Sequence, residues 1–264
     1  MAPGITEIIY ALGQDEKLVG VTRYCDYPED VKNKTRVGGF YDPNYEQILA
    51  LKPDLVLLVV SHKKAKAELE KLNIDTLMVP NETVPDIYEA IGKIGGVCGA
   101  EEKAKALTDK LQARVEAVRT VVKDEDRPRV LICIERDIDS SKLSGLYMAG
   151  QNTFYDTIIE VAGGVNAITS DKTAYPQMSA EGIISLNPDV IVDLVGVLKE
   201  DDKSKKEIIE QWDKVGVVKA VRNDRVHLIV GYHALRPGPR FVQFVEQLAR
   251  YLHPALFKME KDDE

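Results

Sequence analysis

Two glutamates stand at matching places in a repeated stretch of this chain. Glu46 opens EQILALKPDLVLL and Glu181 opens EGIISLNPDVIVD, 135 residues further on. Each lies two residues after a candidate N-cap, Asn44 or Ser179, where a carboxylate complements the helix dipole by about 0.3–1 kcal/mol. A set of aromatic residues falls where expected strands end or expected helices begin: Tyr24, Phe40, Tyr41, Tyr147, Tyr175 and Tyr232. Phe40 and Tyr175 precede the repeated glutamates by six residues each. Flat rings at such loops suit a large planar or apolar ligand, or else pack the loops onto the sheet. His62 and His233 fall in the same class of loop and could ligate a metal, touch a ligand or face solvent. His227 lies in an expected strand and His253 near the chain's end, and both read as structural. Four scattered histidines make no cage for a free metal ion. Cys25, Cys98 and Cys133 have no CxxC or Cys/His spacing and read as buried free thiols. The chain carries no Walker A loop, no GxGxxG after a strand, no GxSxG and no HExxH. The glycine-rich run at 95–99 lacks the Lys-Ser/Thr that holds phosphate and reads as a break between two helices. A cleft that binds without reacting is expected, not an enzyme; a sensor or surface receptor using the same cleft is the other reading.

The elements that must position these residues alternate along the chain. Short β-branched runs predict strands over 18–22, 55–60, 76–79, 130–133, 190–194 and 226–230. Helical patterns fall over 44–51, 64–72, 84–94, 153–161 and 208–220. That alternation predicts parallel sheets built from βαβ units. The repeat adds that a short helix, Pro-Asp and a buried strand recur, so two related Rossmann-like α/β lobes are expected. Between them, 100–123 contains no Gly or Pro after its first residues, and Leu107, Leu111, Val115 and Val118 recur at helical spacing. A helix of about 24 residues is about 36 Å long, the length of a rod joining two lobes. The expected organisation is lobe 1–99, rod 100–124 and lobe 125–264. Met1-Ala2-Pro3-Gly4 runs straight into an apolar helical pattern where a strand ordinarily comes first, so upstream residues are expected to be absent from this sequence.

Composition sets the outer bounds. The 264 residues are 44% hydrophobic and 30% charged, which suffices for two cored domains. A net charge of −8 repels phosphate backbones, so no nucleic-acid partner is expected. No apolar run approaches the roughly 18–20 residues of a membrane span.

Seven strings occur in family order: APGITEIIYALG, VGVTRYCDYP, VGGFYDPNYEQILALKPDLVLL, YMAGQNTFYDTIIEVAGGVNAI, YPQMSAEGIISLNPDVIV, WDKVGVVKAVRNDRVHLI and RPGPRFVQFVEQLARYLHP. Together they resemble the helical-backbone (class III) periplasmic binding proteins for vitamin B12, haem and iron siderophores, closest to the cobalamin-binding type. The resemblance implies a protein outside the cytoplasmic membrane, periplasmic or lipid-anchored, that delivers ligand to the permease dimer of an ABC importer. A monomer without cofactor is expected, its ligand a cobalt or iron chelate. The resemblance places Tyr24, Phe40 and Tyr175 in the ligand cleft, where B12 binders typically carry Trp, while Trp212 lies elsewhere. By the same resemblance Tyr41 is the candidate haem-iron ligand, and Arg23, Arg136 or Arg236 would face siderophore oxygens, Arg236 being the best placed. Arg240 reads as a brace for the last helix. Glu46 and Glu181 are the implied permease-docking pair, one per lobe. Corrinoid is the first-ranked ligand, haem the second and siderophore the third.

Overall fold

A computed structural model describes residues 1–140, 143–170, 172–198 and 204–257. Residues 141–142, 171, 199–203 and 258–264, all inside the second expected lobe, lie outside the described residues. The chain divides into two compact units: Met1–Ala113 with Arg236–Pro239, and Arg114–Leu235 with the residues from Arg240 on.

The first unit opens with helix α1 (Pro3–Ala11), whose Ile5, Ile8 and Ile9 are buried. Strands β1 (Gly20–Val21) and β2 (Thr35–Arg36) pair in parallel. Helix α2 (Tyr45–Ala50) then leads to strand β3 (Val56–Val59), helix α3 (Lys63–Lys71) and strand β4 (Thr76–Val79), with β3 and β4 also parallel. Val37, Ile48, Leu58, Leu69 and Ile74 close a core against these strands. Helix α4 (Val84–Cys98) starts on a capping box, Thr83 Oγ1 accepting from Asp86 N while Asp86 accepts from Thr83 N. It runs through Gly95 and Gly96, so the expected helix break is confined to Gly99, at φ +62°. Gly95 serves packing instead: a Cβ there would lie 2.4 Å from Cβ of Ala104. Helix α5 (Glu101–Val122) is the predicted rod, about 33 Å long at 1.5 Å per residue. Ala104, Leu111, Val115, Val118 and Val122 form its buried stripe, and the two units divide within it, after Ala113.

The second unit is built on six strands: β5 (Arg129–Glu135), β6 (Leu146–Met148), β7 (Val165–Asn166), β8 (Gln177–Met178), β9 (Val190–Val195) and β10 (Val226–Val230). Their order is β10-β9-β5-β6-β8, with β7 alongside the start of β5. Strands β10, β9, β5 and β7 are parallel as expected, whereas β6 and β8 pair antiparallel. Residues 136–145, which join β5 to β6, are too few for a crossover helix, so the chain turns back on itself. Helix α6 (Phe154–Val161) lies between β6 and β7, and α7 (Ala180–Leu186) lies between β8 and β9. The helix expected over 208–220 is three pieces: α8 (Lys205–Glu210), a tighter turn at Gln211–Val215, and α9 (Lys219–Arg222). Extended backbone at Val218 separates the last two, and the tighter turn still buries Trp212 and Val215. Helix α10 (Phe241–Leu252) buries Phe241, Phe244, Val245, Leu248 and Leu252, an i, i+3, i+4 stripe.

The repeat is carried by backbone as well as sequence. The Asn44 side chain accepts from Gln47 N at 2.9 Å and caps α2, while Ser179 accepts from Gly182 N at 3.3 Å and caps α7. Ile48 and Ile183 are buried at the same place in each helix. Lys52 and Asn187 both adopt left-handed backbone, at φ 48° and 45°, and Pro53 or Pro188 follows.

Candidate functional site

In the first unit, three loops leave the carboxyl ends of parallel strands, where an open α/β sheet receives ligands. Tyr24 follows β1, Phe40 and Tyr41 follow β2, and His62 follows β3. Tyr41 meets the Phe40 ring edge-on at 4.7 Å, and the His62 ring lies 4.3 Å from the other partner of that contact, Phe40. His62 is buried at 3% exposure, its Nδ1 accepting from Val59 N at 3.3 Å. Burial pulls its pKa down to about 4, with the Phe40 backbone opposing it. A neutral imidazole thus backs Phe40, while Tyr41 stands 82% exposed and Tyr24 about half exposed.

The loop holding Phe40 and Tyr41 is tied down by Arg23 and Asp42. Arg23 N donates to Gly38 O at 2.8 Å, and the Arg23 guanidinium forms an ion pair with Asp42. Gly38 must be glycine for this turn, because its φ is +91° and a Cβ there would sit 2.5 Å from Asn44 N and 2.6 Å from the Asp42 carbonyl oxygen. Arg36 laces the neighbouring loop, donating to the carbonyls of Thr22 and Cys25 at 3.1 and 2.7 Å. Arg236, in the segment that joins this unit late in the chain, forms a two-point ion pair with Asp26. Its side chain is only 10% exposed.

In the second unit Tyr232 follows a parallel strand, whereas Tyr147 lies within antiparallel β6 and Tyr175 at the amino end of β8. Tyr147 lies on β6, opposite Glu135 at the carboxyl end of β5 and opposite Gln177 of β8. It sits within a strand, not in the expected loop. Tyr175 immediately precedes β8 and meets the buried Tyr155 ring at 6.5 Å. Burial, and then the Tyr175 hydroxyl, hold the Tyr155 phenol far above its ordinary pKa. Tyr232 follows β10, and its ring covers Gly196 so closely that a Cβ there would lie 2.4 Å from it. A shallow apolar groove of about 230 Å³ lies beside β8, lined by Ile168, Pro176, Met178 and Leu186 among others.

Arg136, one of the three arginines considered for ligand oxygens, is committed elsewhere. Its Nε donates to Asp193 Oδ2 at 2.7 Å, both side chains being 1% exposed. Its other nitrogens reach Gln211 and the Ile208 carbonyl, and its plane lies over Trp212. Trp212 Nε1 donates to the same Asp193 oxygen at 3.0 Å. Burial pushes the Asp193 carboxyl up, and Arg136 and Trp212 pull it back. The single tryptophan is therefore a core residue. Glu46 and Glu181 are both exposed in the first turns of α2 and α7. Hydrogen bonds from its own backbone and from Ser179 hold Glu181 below the usual carboxylate range. Among the described residues, no three His, Cys, Asp or Glu come together to hold a metal, and no helix is long and apolar enough to cross a membrane.

Two α/β units, with Tyr24, Phe40 and Tyr41 after parallel strands of the first and Tyr232 after a parallel strand of the second, have the form of a binding protein. The family model described as "periplasmic binding protein" matches residues 1–230, and the chain belongs to that family. An uncharacterised ABC transporter substrate-binding lipoprotein of Bacillus subtilis is 35% identical, over 98% of this chain and 80% of its own. A cobalamin-binding protein of Halobacterium salinarum is 30% identical, over 95% of this chain and 68% of its own. The crystal structure of the periplasmic vitamin B12-binding protein of Vibrio cholerae superposes with a TM-score of 0.81 at 26% identity, covering 98% and 96% of the two chains. The family resemblance and the α/β class read from the sequence are borne out.

Proposed function

We propose that this chain is the extracytoplasmic substrate-binding protein of an ABC importer, and that it captures a cobalamin-type metal chelate and hands it to a permease dimer. The observation that carries the ligand class is the paired placement of Phe40 and Tyr175, six residues before Glu46 and Glu181 in the two copies of one repeat. Two flat rings, supported by Tyr24 and Tyr41 in one unit and Tyr147 and Tyr232 in the other, suit a broad macrocycle. Rigid aromatics offer such a ligand area at little entropic cost. The names of two of the relatives, cobalamin-binding and vitamin B12-binding, support the same reading. The chelate brings its own cobalt, so the protein needs no metal cage.

Charge bookkeeping argues against an anionic siderophore. Arg23, Arg136 and Arg236 are each already paired with an aspartate: Asp42, Asp193 and Asp26. Haem is the second reading, favoured by the 82% exposure of Tyr41, whose phenol can reach an iron atom. Glu46 and Glu181 are the proposed docking pair for the permease, one carboxylate per unit, complementary to cationic groups on the partner. His62 acts in this account as the neutral support beneath Phe40, and Arg236 as the tie that holds the Asp26 loop. Titration calorimetry with cyanocobalamin tests the ligand assignment. Phe40→Ala and Tyr175→Ala should each weaken binding by roughly tenfold to a hundredfold, the loss of one well-buried aromatic contact. Unchanged affinity in both variants would remove the aromatic cradle from the account.

A further inference from the structure

Each copy of the repeat leaves a large aliphatic side chain in solvent where a globular protein gains nothing by it. Leu49 is 49% exposed and Ile184 is 40% exposed. Both stand three residues after the repeated glutamate, Glu46 in α2 and Glu181 in α7. Residues i and i+3 of a helix share a face, so each short helix presents one carboxylate beside one aliphatic knob. The preceding residues, Ile48 and Ile183, already supply the buried contact that seats each helix. The following residues, Ala50 and Ser185, are small and exposed, and leave the knobs standing clear. A single exposed Leu or Ile is ordinary on a protein surface. The same pairing stands on both copies of the repeat, and the buried contacts that seat the two helices do not require it.

We infer that Leu49 and Ile184 are the apolar anchors of the permease-docking surface, each seated in a small hydrophobic pocket beside the cationic group that receives Glu46 or Glu181. The inference rests on the docking reading above and adds its energetic centre. Ion pairs at a solvated rim set orientation and encounter rate, and contribute little affinity. Desolvated side chains at the centre of a patch carry most of the binding energy. A partner made of two like halves would then offer one pocket and one cation to each copy of the repeat. The aliphatic side chains also fix the partner's chemistry: a protein surface with matched pockets, not a flat anionic membrane, which the neighbouring glutamates would repel.

The test uses the full-length protein and a permease–ATPase complex in lipid nanodiscs, with empty nanodiscs as control. Leu49→Gln and Ile184→Gln keep helix propensity and alter only exposed positions, so fold and cyanocobalamin affinity should match the parent protein. Each should weaken docking about tenfold, and the pair about a hundredfold. Glu46→Gln with Glu181→Gln should weaken docking separately and slow association. Loss with the glutamine-for-glutamate pair, but none with Leu49→Gln and Ile184→Gln, would overturn the anchor inference and leave the docking pair standing. No loss in either set would overturn both. Equal binding to empty nanodiscs, or self-association of the parent protein lost on Leu49→Gln, would assign the knobs to lipid or to a second copy and overturn it as well.

Discussion

Replacing Asp193 by asparagine removes one charge from a pair that is almost fully enclosed. Arg136 and Asp193 are each 1% exposed and meet at 2.7 Å, and Trp212 Nε1 donates to the same carboxylate oxygen at 3.0 Å. Asparagine retains the shape and one acceptor, so packing changes little. The guanidinium, still charged, is left in the core without its counter-ion, and breaking a buried pair in this way costs about 3–5 kcal/mol. Replacing both partners by apolar residues, as in Arg136→Met with Asp193→Leu, takes both charges out and should recover much of that loss. Urea unfolding followed by tryptophan fluorescence is the natural assay, because the one tryptophan of the chain, Trp212, touches the pair. The transition reports the second unit. Expected are a midpoint well below the parent's for Asp193→Asn and a substantially higher one for the double variant. A loss under about 1 kcal/mol for Asp193→Asn, or a double variant as weak as the single, would refute the view that an enclosed charge pair ties β9 to the turn carrying Trp212.

Acid should weaken the second unit through His227. Its ring stacks on Tyr251 at 4.1 Å, and burial, then Arg225, lower its pKa to about 4. The folded protein therefore binds this proton less readily than the unfolded chain, whose histidine titrates near 6.5. Stability is full above about pH 6.5 and falls as pH drops toward 4, by up to about 3 kcal/mol from this group. His227→Phe keeps the stack and should flatten the melting temperature against pH in that window; an unchanged profile would contradict the assignment. Lys52→Gly relieves a left-handed backbone at φ 48° and should stabilise the first unit by about 1 kcal/mol, read as a higher midpoint in calorimetry. Gly4→Ala should destabilise the same unit by about 1–3 kcal/mol, because the new methyl would lie 2.0 Å from the Pro237 carbonyl oxygen; a parent-like melting temperature would show that α1 does not pack against that segment.

Much of this architecture is legible in the chain because its signals are local. Asn44, Ser179 and the two Pro-Asp pairs each act within one helical turn, and the helices they bound lie where expected. Runs such as 76–79 and 226–230 coincide with β4 and β10. The two- and three-residue strands β6, β7 and β8 leave no periodic trace, and their direction is set by pairing with β5 and with one another. The 208–220 pattern keeps helical spacing, yet its middle is a tighter turn in which Trp212 Nε1 donates to Asp193, a partner far away in sequence. Burial is the least visible quantity. The resemblance offers Arg136 as a candidate for ligand oxygens, and nothing near it in sequence announces Asp193, 57 residues away. The Arg23–Asp42 and Arg236–Asp26 pairs, 19 and 210 residues apart, were hidden for the same reason.

The most direct test of the central claim is a visible-absorption titration of the purified protein with cyanocobalamin, haemin and a ferric siderophore in parallel. Expected are saturable one-to-one binding of cobalamin, weakened by Phe40→Ala and Tyr175→Ala, and no saturable response to the siderophore. A Soret shift with haemin that disappears in Tyr41→Phe, with no response to cobalamin, would contradict the corrinoid assignment and move the protein to haem import. Binding of none of the three would contradict the metal-chelate class itself.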